Sequence, residues 1–281
     1  MAIAGLLIYK FSMPPFETEK LSKDECKKNW ALCKIFSNKT IIEPKDKVKI
    51  AILDSGIKEI EPLKGKVVDR FNTFDNTNII KDEFGHGTQI ASIIGANRND
   101  LMVQGINPKV NLYDVKVLNK HGKGKEENLI KGLKWAIDKD VDIVNISLNF
   151  DNYSSEVHKL IKKGYDNNII FIGSSGNEIG METNYPAKFK EVVSISSIDR
   201  NENIDFLASQ GKIDYVAPGV DVPTIDKEGN LSVQQGSSYA SAYTTGVISI
   251  LIANDFIHDI EKYTDKLGNS DVYGKGILQF K

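Results

Sequence analysis

Apolar positions along this chain follow two alternating rhythms. Lys47 to Leu53 (KVKIAIL) is a nearly continuous apolar run that reads as a buried strand leading into Asp-Ser-Gly. Val110 to Leu118, Val141 to Leu148, Ile169 to Ile172 and Val192 to Ile198 read as strands in the same way. Helical spacing separates several of them. Glu126 to Lys139 places Leu129, Leu133, Ala136 and Ile137 on one face, and Ser154 to Asn167 turns Val157, Leu160 and Ile161 inward. Gly85 to Ala96 is a shorter helix, and Ser238 to Ala253 a long apolar one. Leu21 to Phe36 (LSKDECKKNWALCKIF) also has helical spacing, with Ser22 or Asp24 as its cap, and Phe11-Ser-Met-Pro-Pro15 breaks the chain before it. Continuously apolar strands alternating with helices predict an α/β fold, a mainly parallel sheet covered on both faces. In such sheets ligands bind at the carboxyl ends of strands. No internal repeat or low-complexity tract interrupts the pattern.

Composition narrows the function classes. The chain has 281 residues, 41% hydrophobic and 26% charged, enough to bury a sizeable core. The charge balance, 36 − 38 = −2, argues against a nucleic-acid protein held by a general basic field. The apolar start, Ala2 to Tyr9, falls far short of the roughly 20 residues of a membrane span. With its first basic residue, Lys10, after the apolar run, it is not a secretory signal either. The only cysteines are Cys26 and Cys33. On a continuous helix their Cα atoms would lie about 10 Å apart, too far for a bond. The expectation is two reduced thiols on one helix face, in a cytoplasmic protein.

Three residues at element ends carry candidate chemistry. Asp54 closes the first core strand, His86 stands between two glycines in Phe-Gly-His-Gly-Thr, and Ser238 opens the long apolar helix. Singly each has an ordinary reading: a turn former, a structural histidine, a helix cap. Together they supply what acyl transfer by serine needs: a hydroxyl, an imidazole to take its proton, and a carboxylate to hold the imidazole's tautomer. The order Asp, His, Ser, with separations of 32 and 152 residues, is specific.

From about residue 47 to the C-terminus the chain resembles the subtilisin-like serine proteases. The resemblance rests on Asp54-Ser55-Gly56, His86-Gly87-Thr88, Ser175-Gly176-Asn177-Glu178 and Gly236-Ser237-Ser238-Tyr239-Ala240-Ser241-Ala242. Tyr185-Pro186-Ala187-Lys188, Ala217-Pro218-Gly219 and the stretch Tyr273 to Ile277 extend it. It implies a three-layer subtilisin-like fold, a peptidase domain over residues 47–281, and an N-terminal extension, residues 1–46, packed on that domain. It also assigns roles. Ser238 would be the nucleophile, His86 the general base and then acid, Asp54 the residue that orients His86. Asn177 would donate its amide to the oxyanion beside the Ser238 N–H. An imidazole base implies activity falling as His86 protonates near its ordinary pKa of about 6.5.

For the substrate, the resemblance implies an extended peptide between two rails, Gly122-Lys123-Gly124 and Ser147-Leu148-Asn149. Asn149 departs from the family's glycine, which predicts a narrower or more polar subsite unless its side chain turns to solvent. Asn184 falls at the floor of the pocket for the residue before the scissile bond. A buried amide there would want a hydrogen-bonding guest, Gln first and Arg second. Ala242 replaces the family's proline and Gln89 its usual histidine. Glu61-Pro62-Leu63 lacks the aspartate of a strong calcium site. No cofactor is therefore expected, with Asn99, in the loop Asn97 to Gly105, the residue on which a weak calcium site would rest.

Only 53 residues precede Asp54, so no folding pro-domain is expected. A peptidase active in its own cytoplasm must be selective. Small members of this kind include the leader peptidases of lantibiotic clusters. The expectation is a monomeric endopeptidase that trims a precursor peptide, with no nucleic-acid or membrane partner. The alternatives are a general intracellular protease and an inactive peptide-binding module.

Overall fold

The computed structural model describes residues 19–179 and 181–281. The apolar start and the Phe11–Pro15 breaker lie outside the described residues. Two short helices come first, α1 (Lys23–Lys28) and α2 (Trp30–Ile35). Then follow β1 (Val48–Asp54), β2 (Val67–Asn72), α3 (His86–Gly95), β3 (Val110–Lys116), α4 (Glu126–Asp138), β4 (Ile143–Ile146), α5 (Ser155–Asp166), β5 (Ile170–Ser174) and β6 (Val192–Ile198). The last part holds β7 (Tyr215–Pro218), β8 (Val222–Ile225), β9 (Leu231–Gln234), α6 (Ser237–Ala253), β10 (Thr264–Asp265), α7 (Ser270–Tyr273) and β11 (Ile277–Leu278).

Nine strands form one sheet in the order β10-β11-β7-β6-β5-β4-β1-β3-β2, while β8 and β9 make a separate hairpin. All pairings in the large sheet are parallel except β10 with β11. This is the three-layer α/β arrangement that the apolar pattern predicts. Strand β1 shows why its sequence has no polar face. Val48, Ile50 and Ile52 enter one hydrophobic core, and Ala51 and Leu53 the other. Residues alternate between faces, and both faces are covered. The first core holds side chains of α3 and α6, the second those of α4 and α5. Between β3 and β4 the chain crosses from one side of β1 to the other, so the carboxyl end of β1 lies at a switch point of the sheet, where ligand crevices form.

The N-terminal region corrects two expectations. Leu21 to Phe36 is not one helix. Asn29, at φ −125° and ψ 78°, ends α1 and caps α2. Its N–H donates to Glu25 O (2.6 Å) and its side-chain oxygen accepts Leu32 N (3.0 Å). A side chain that bonds the backbone of the next turn competes with continuing the previous one. The resulting elbow brings the Cα atoms of Cys26 and Cys33 to 5.5 Å, and the two form a disulfide rather than two free thiols. Residues 19–46 share the core of the sheet. Leu21, Ala31, Leu32, Ile35, Phe36 and Ile41 are buried with the α6 side chains, and Trp30 Nε1 donates to Asp221 O (3.0 Å). Phe36 stacks on Phe280 at 5.4 Å between ring centroids.

Candidate active site

Asp54 and His86 meet where β1 ends and α3 begins. Asp54 is fully buried, and its two oxygens each lie 2.8 Å from His86 Nδ1. The approach depends on Gly87. A side chain there would collide with the Gly56 carbonyl and lie 3.2 Å from Asp54 Cβ. With Nδ1 held by the carboxylate, Nε2 is the ring atom left to exchange a proton. Burial opposes charging of His86. The charge and hydrogen bond of Asp54, joined by the charge of Asp82, outweigh it and raise the imidazole above its ordinary value.

Ser238 is the second residue of α6, 9% exposed. Its two sequence neighbours each touch a different arm of the site. Tyr239 sets its ring edge-on to His86 at 5.4 Å between centroids, and its hydroxyl donates to Gln89 (3.0 Å). Ser237 reaches the other way: its N–H donates to Asn177 Oδ1 (2.8 Å) and its hydroxyl to Gly176 O (3.2 Å). Ser238 is thus held between the imidazole and the Asn177 amide. No hydrogen bond joins Ser238 to His86; catalytic bonds of this kind often tighten only around substrate. The orientation of α6 itself comes from buried polar ties to the sheet. Asn145 of β4 donates to Thr245 Oγ1 (2.9 Å) and Ser241 Oγ (3.3 Å).

The amide of Asn177 is oriented by what it accepts. Because Oδ1 takes the Ser237 N–H, Nδ2 is the edge free to donate. Gly236, at φ 135°, permits this: a Cβ there would stand 2.9 Å from Asn177 Nδ2. Asn177 Nδ2 and the N–H groups at the start of α6 are donors of the kind that stabilise a developing oxyanion, with the helix dipole adding partial positive charge.

The other residues singled out in the sequence have the following surroundings. Gly122, at φ 70°, donates its N–H to Asn119 O, and the Phe84 ring packs where a Gly122 side chain would be. Lys123 is exposed, and a Cβ on Gly124 would stand 2.8 Å from Val117 O. Ser147 and Leu148 are buried just past the end of β4. The next segment is clipped by two bonds between Phe150 and Tyr185, at 2.7 and 3.0 Å. The Asn149 side chain does not turn to solvent. Half-buried, it sits against Ser174 and 3.8 Å from the space beside Gly176. Asn184 corrects its premise. It is half-buried, not buried, and its amide already donates to Asp151 Oδ1 (3.3 Å).

Asn99 does not fit a calcium ligand. Its Nδ2 donates to the carbonyls of Asn97 and Val103, and its Oδ1 accepts Leu101 N (3.0 Å). The carbonyls that would face a cation face an amide instead. Among the described residues no group of three or more His, Cys, Asp or Glu is placed to hold a metal, and no helix is long and apolar enough to cross a membrane.

Sequence reading overlooked Ser237, Tyr239 and Gln89. All three were in view within or beside the motifs, but their roles depend on contacts across 60 and 150 residues of chain. Comparison with known proteins identifies the family. The model of the subtilase family matches residues 45–260. The intracellular serine protease of Paenibacillus polymyxa is 33% identical over 256 residues, 82% of this chain and 78% of that protein. Subtilisin E of Bacillus subtilis is 29% identical over 243 residues, 82% of this chain and 64% of its own length. The minor extracellular protease Epr of Bacillus subtilis is 28% identical over 246 residues, 83% of this chain but 38% of that protein. The chain therefore spans less than two thirds of several relatives it matches. With a mainly parallel sheet and a family match over most of its length, the chain belongs to the subtilase family.

Proposed function

We propose that this chain is a serine endopeptidase in which Ser238 attacks the scissile carbonyl, His86 takes and returns the proton, and Asp54 holds the imidazole. Asn177 and the Ser238 N–H bind the oxyanion. The observation that carries this reading is the His86–Asp54 contact at 2.8 Å beside a serine at a helix N-terminus. A bound peptide would lie as an added strand between Gly122-Lys123-Gly124 and Ser147-Leu148-Asn149.

The preferred substrate is a lantibiotic or bacteriocin precursor peptide, cut where its leader ends. Selectivity supports this choice: Asn149 and Asn184 make the approach to the pocket polar. The Asn184–Asp151 pairing reverses the order of guests. One amide N–H is engaged by Asp151 Oδ1, and the carboxylate leaves a negative charge beside Asn184 Oδ1. A guest rich in donors and positive charge fits them best, so Arg precedes Gln and both precede Phe.

A serine-directed phosphonate probe tests the reaction. It should label the wild type and not Ser238→Ala; an unlabelled wild type would leave only a peptide-binding module. A peptide panel varied at the residue before the scissile bond should rank Arg, Gln, Phe in that order, and equal cleavage after all three removes the pocket assignment. Rapid digestion of casein, with no preference for an acidic leader peptide, would point to a general protease. The proposed site of action is the cytoplasm. Immunoblotting of separated cytoplasmic and secreted fractions tests this, and protein found only outside the cell overturns it.

A further inference from the structure

Beside His86 lies a buried carboxylate that the reaction above leaves unused. Asp82 is 6% exposed and accepts four hydrogen bonds, all from neutral donors. Oδ1 accepts Ser55 Oγ (2.7 Å) and Gly85 N (2.7 Å); Oδ2 accepts Thr88 N (3.0 Å) and Thr88 Oγ1 (2.5 Å). Gly85 is the N-cap of α3 and has no side chain to cap with. Asp82 closes the first turn in its place, and Ser55 Oγ closes the intervening Gly87 N–H (3.0 Å). Ser55 also donates its own N–H to Asp54 Oδ1 (2.7 Å). One bonded chain therefore runs from Asp54 through Ser55 and Asp82 to the turn that begins with His86.

We propose that Asp82 is a positioning residue for the peptidase reaction. Through Ser55 and the first turn of α3 it holds His86 in register with Asp54, and its buried charge supports the imidazolium formed when His86 takes the Ser238 proton. The proposal rests on the reading of His86 as the base. Four donors converging on two oxygens require a carboxylate, because an amide would turn its NH2 against two of them. The charge acts at short range in a water-poor setting. Other charged and titratable groups stand around the same pocket. Asp54 comes from β1, Tyr239 from α6 and Glu83 from the loop. Lys116 of β3 donates to Ser55 O (2.6 Å) and Lys81 O (3.0 Å), and Lys227 reaches Glu83 O at the rim. Of these, Asp54 and Asp82 are the carboxylates that raise the proton affinity of His86.

The test compares wild type, Asp82→Asn and Ser55→Ala in two ways. The first follows the imidazole titration of His86 by NMR, which needs no turnover. The midpoint should fall in Asp82→Asn, where the charge is gone, and stay at the wild-type value in Ser55→Ala, where it is kept. The second is steady-state kinetics on the best panel peptide. Both variants should lose about 10- to 100-fold in kcat with KM unchanged, the size expected when a catalytic group is slightly misplaced. A folded Asp82→Asn with an unmoved midpoint, or with wild-type kcat, overturns the proposal. Should Asp82→Asn not fold, Ser55→Ala removes both bonds of the Ser55 hydroxyl and Thr88→Val the one from Thr88 Oγ1 to Asp82, and wild-type kcat in both variants overturns the proposal equally. A wild type inert to the phosphonate probe refutes the peptidase reading alone, since the titration still reports on Asp82.

Discussion

One ring nitrogen shared between two carboxylate oxygens decides how the site titrates. The Asp54 contact and the nearby Asp82 charge raise the His86 pKa, and the proposed reaction needs the neutral ring. The acid limb of kcat/KM is accordingly expected above the ordinary imidazole value of about 6.5. A pH–rate profile checks this, and a limb at or below that value contradicts it. The same shift has a stability consequence. A basic group raised on folding stabilises the native state below its unfolded pKa, and this contribution is lost as pH rises through the folded pKa. At the oxyanion side, Asn177→Ala removes a donor whose orientation the Ser237 N–H enforces. Turnover is expected to fall about 10²- to 10³-fold with little change in KM, measured on one good peptide substrate. A loss below tenfold would mean that Asn177 does not face the developing charge.

At the scale of elements, most strands and helices were legible because their apolar spacing matched one period throughout. The core strand before Asp54 and the helices near residues 86, 126, 155 and 238 lie within one or two residues of the pattern. The unread strands are short or lack an apolar run. Strand β2 is largely half-exposed along its length, β7 and β8 are four residues each and contain a proline, β9 faces solvent, and β10 and β11 are two residues each. Such segments pair because tertiary structure offers partners, not because their own pattern demands it. The α1–α2 elbow was hidden differently: Asn29 sits in a run whose apolar spacing is helical on both sides. The disulfide across that elbow closes a short loop. Cys33→Ser is therefore expected to cost about 2–3 kcal/mol, or roughly 5–10 °C in Tm for a chain of this size. Thermal melts with and without reductant test this, and superimposable curves would show that the bond adds no stability.

The described residues form two cores divided by one sheet, and the segment after α2 is tied to Phe280 in the first of them. Phe36 and Phe280 are fully buried and stacked, Ser37 N donates to Phe280 O (2.9 Å), and Phe280 N to Ile35 O (2.7 Å). Phe280→Ala is expected to cost about 3–5 kcal/mol, a transfer loss plus a cavity. Denaturant unfolding reads it, and a change under 1 kcal/mol would mean that the C-terminal strand packs independently of the core. The amino-acid sequence alone determined the layers, the family likeness and the residues able to do acyl-transfer chemistry, because periodicity and short motifs are local properties. Tertiary structure decided what those residues touch. It bonded Cys26 to Cys33, paired Asn184 with Asp151, turned Asn99 onto its own loop and set Asp82 beside the histidine helix. Hydrogen-bond partners and charge environments belong to groups far apart in the chain, and only their convergence in space gives them a partner or a field.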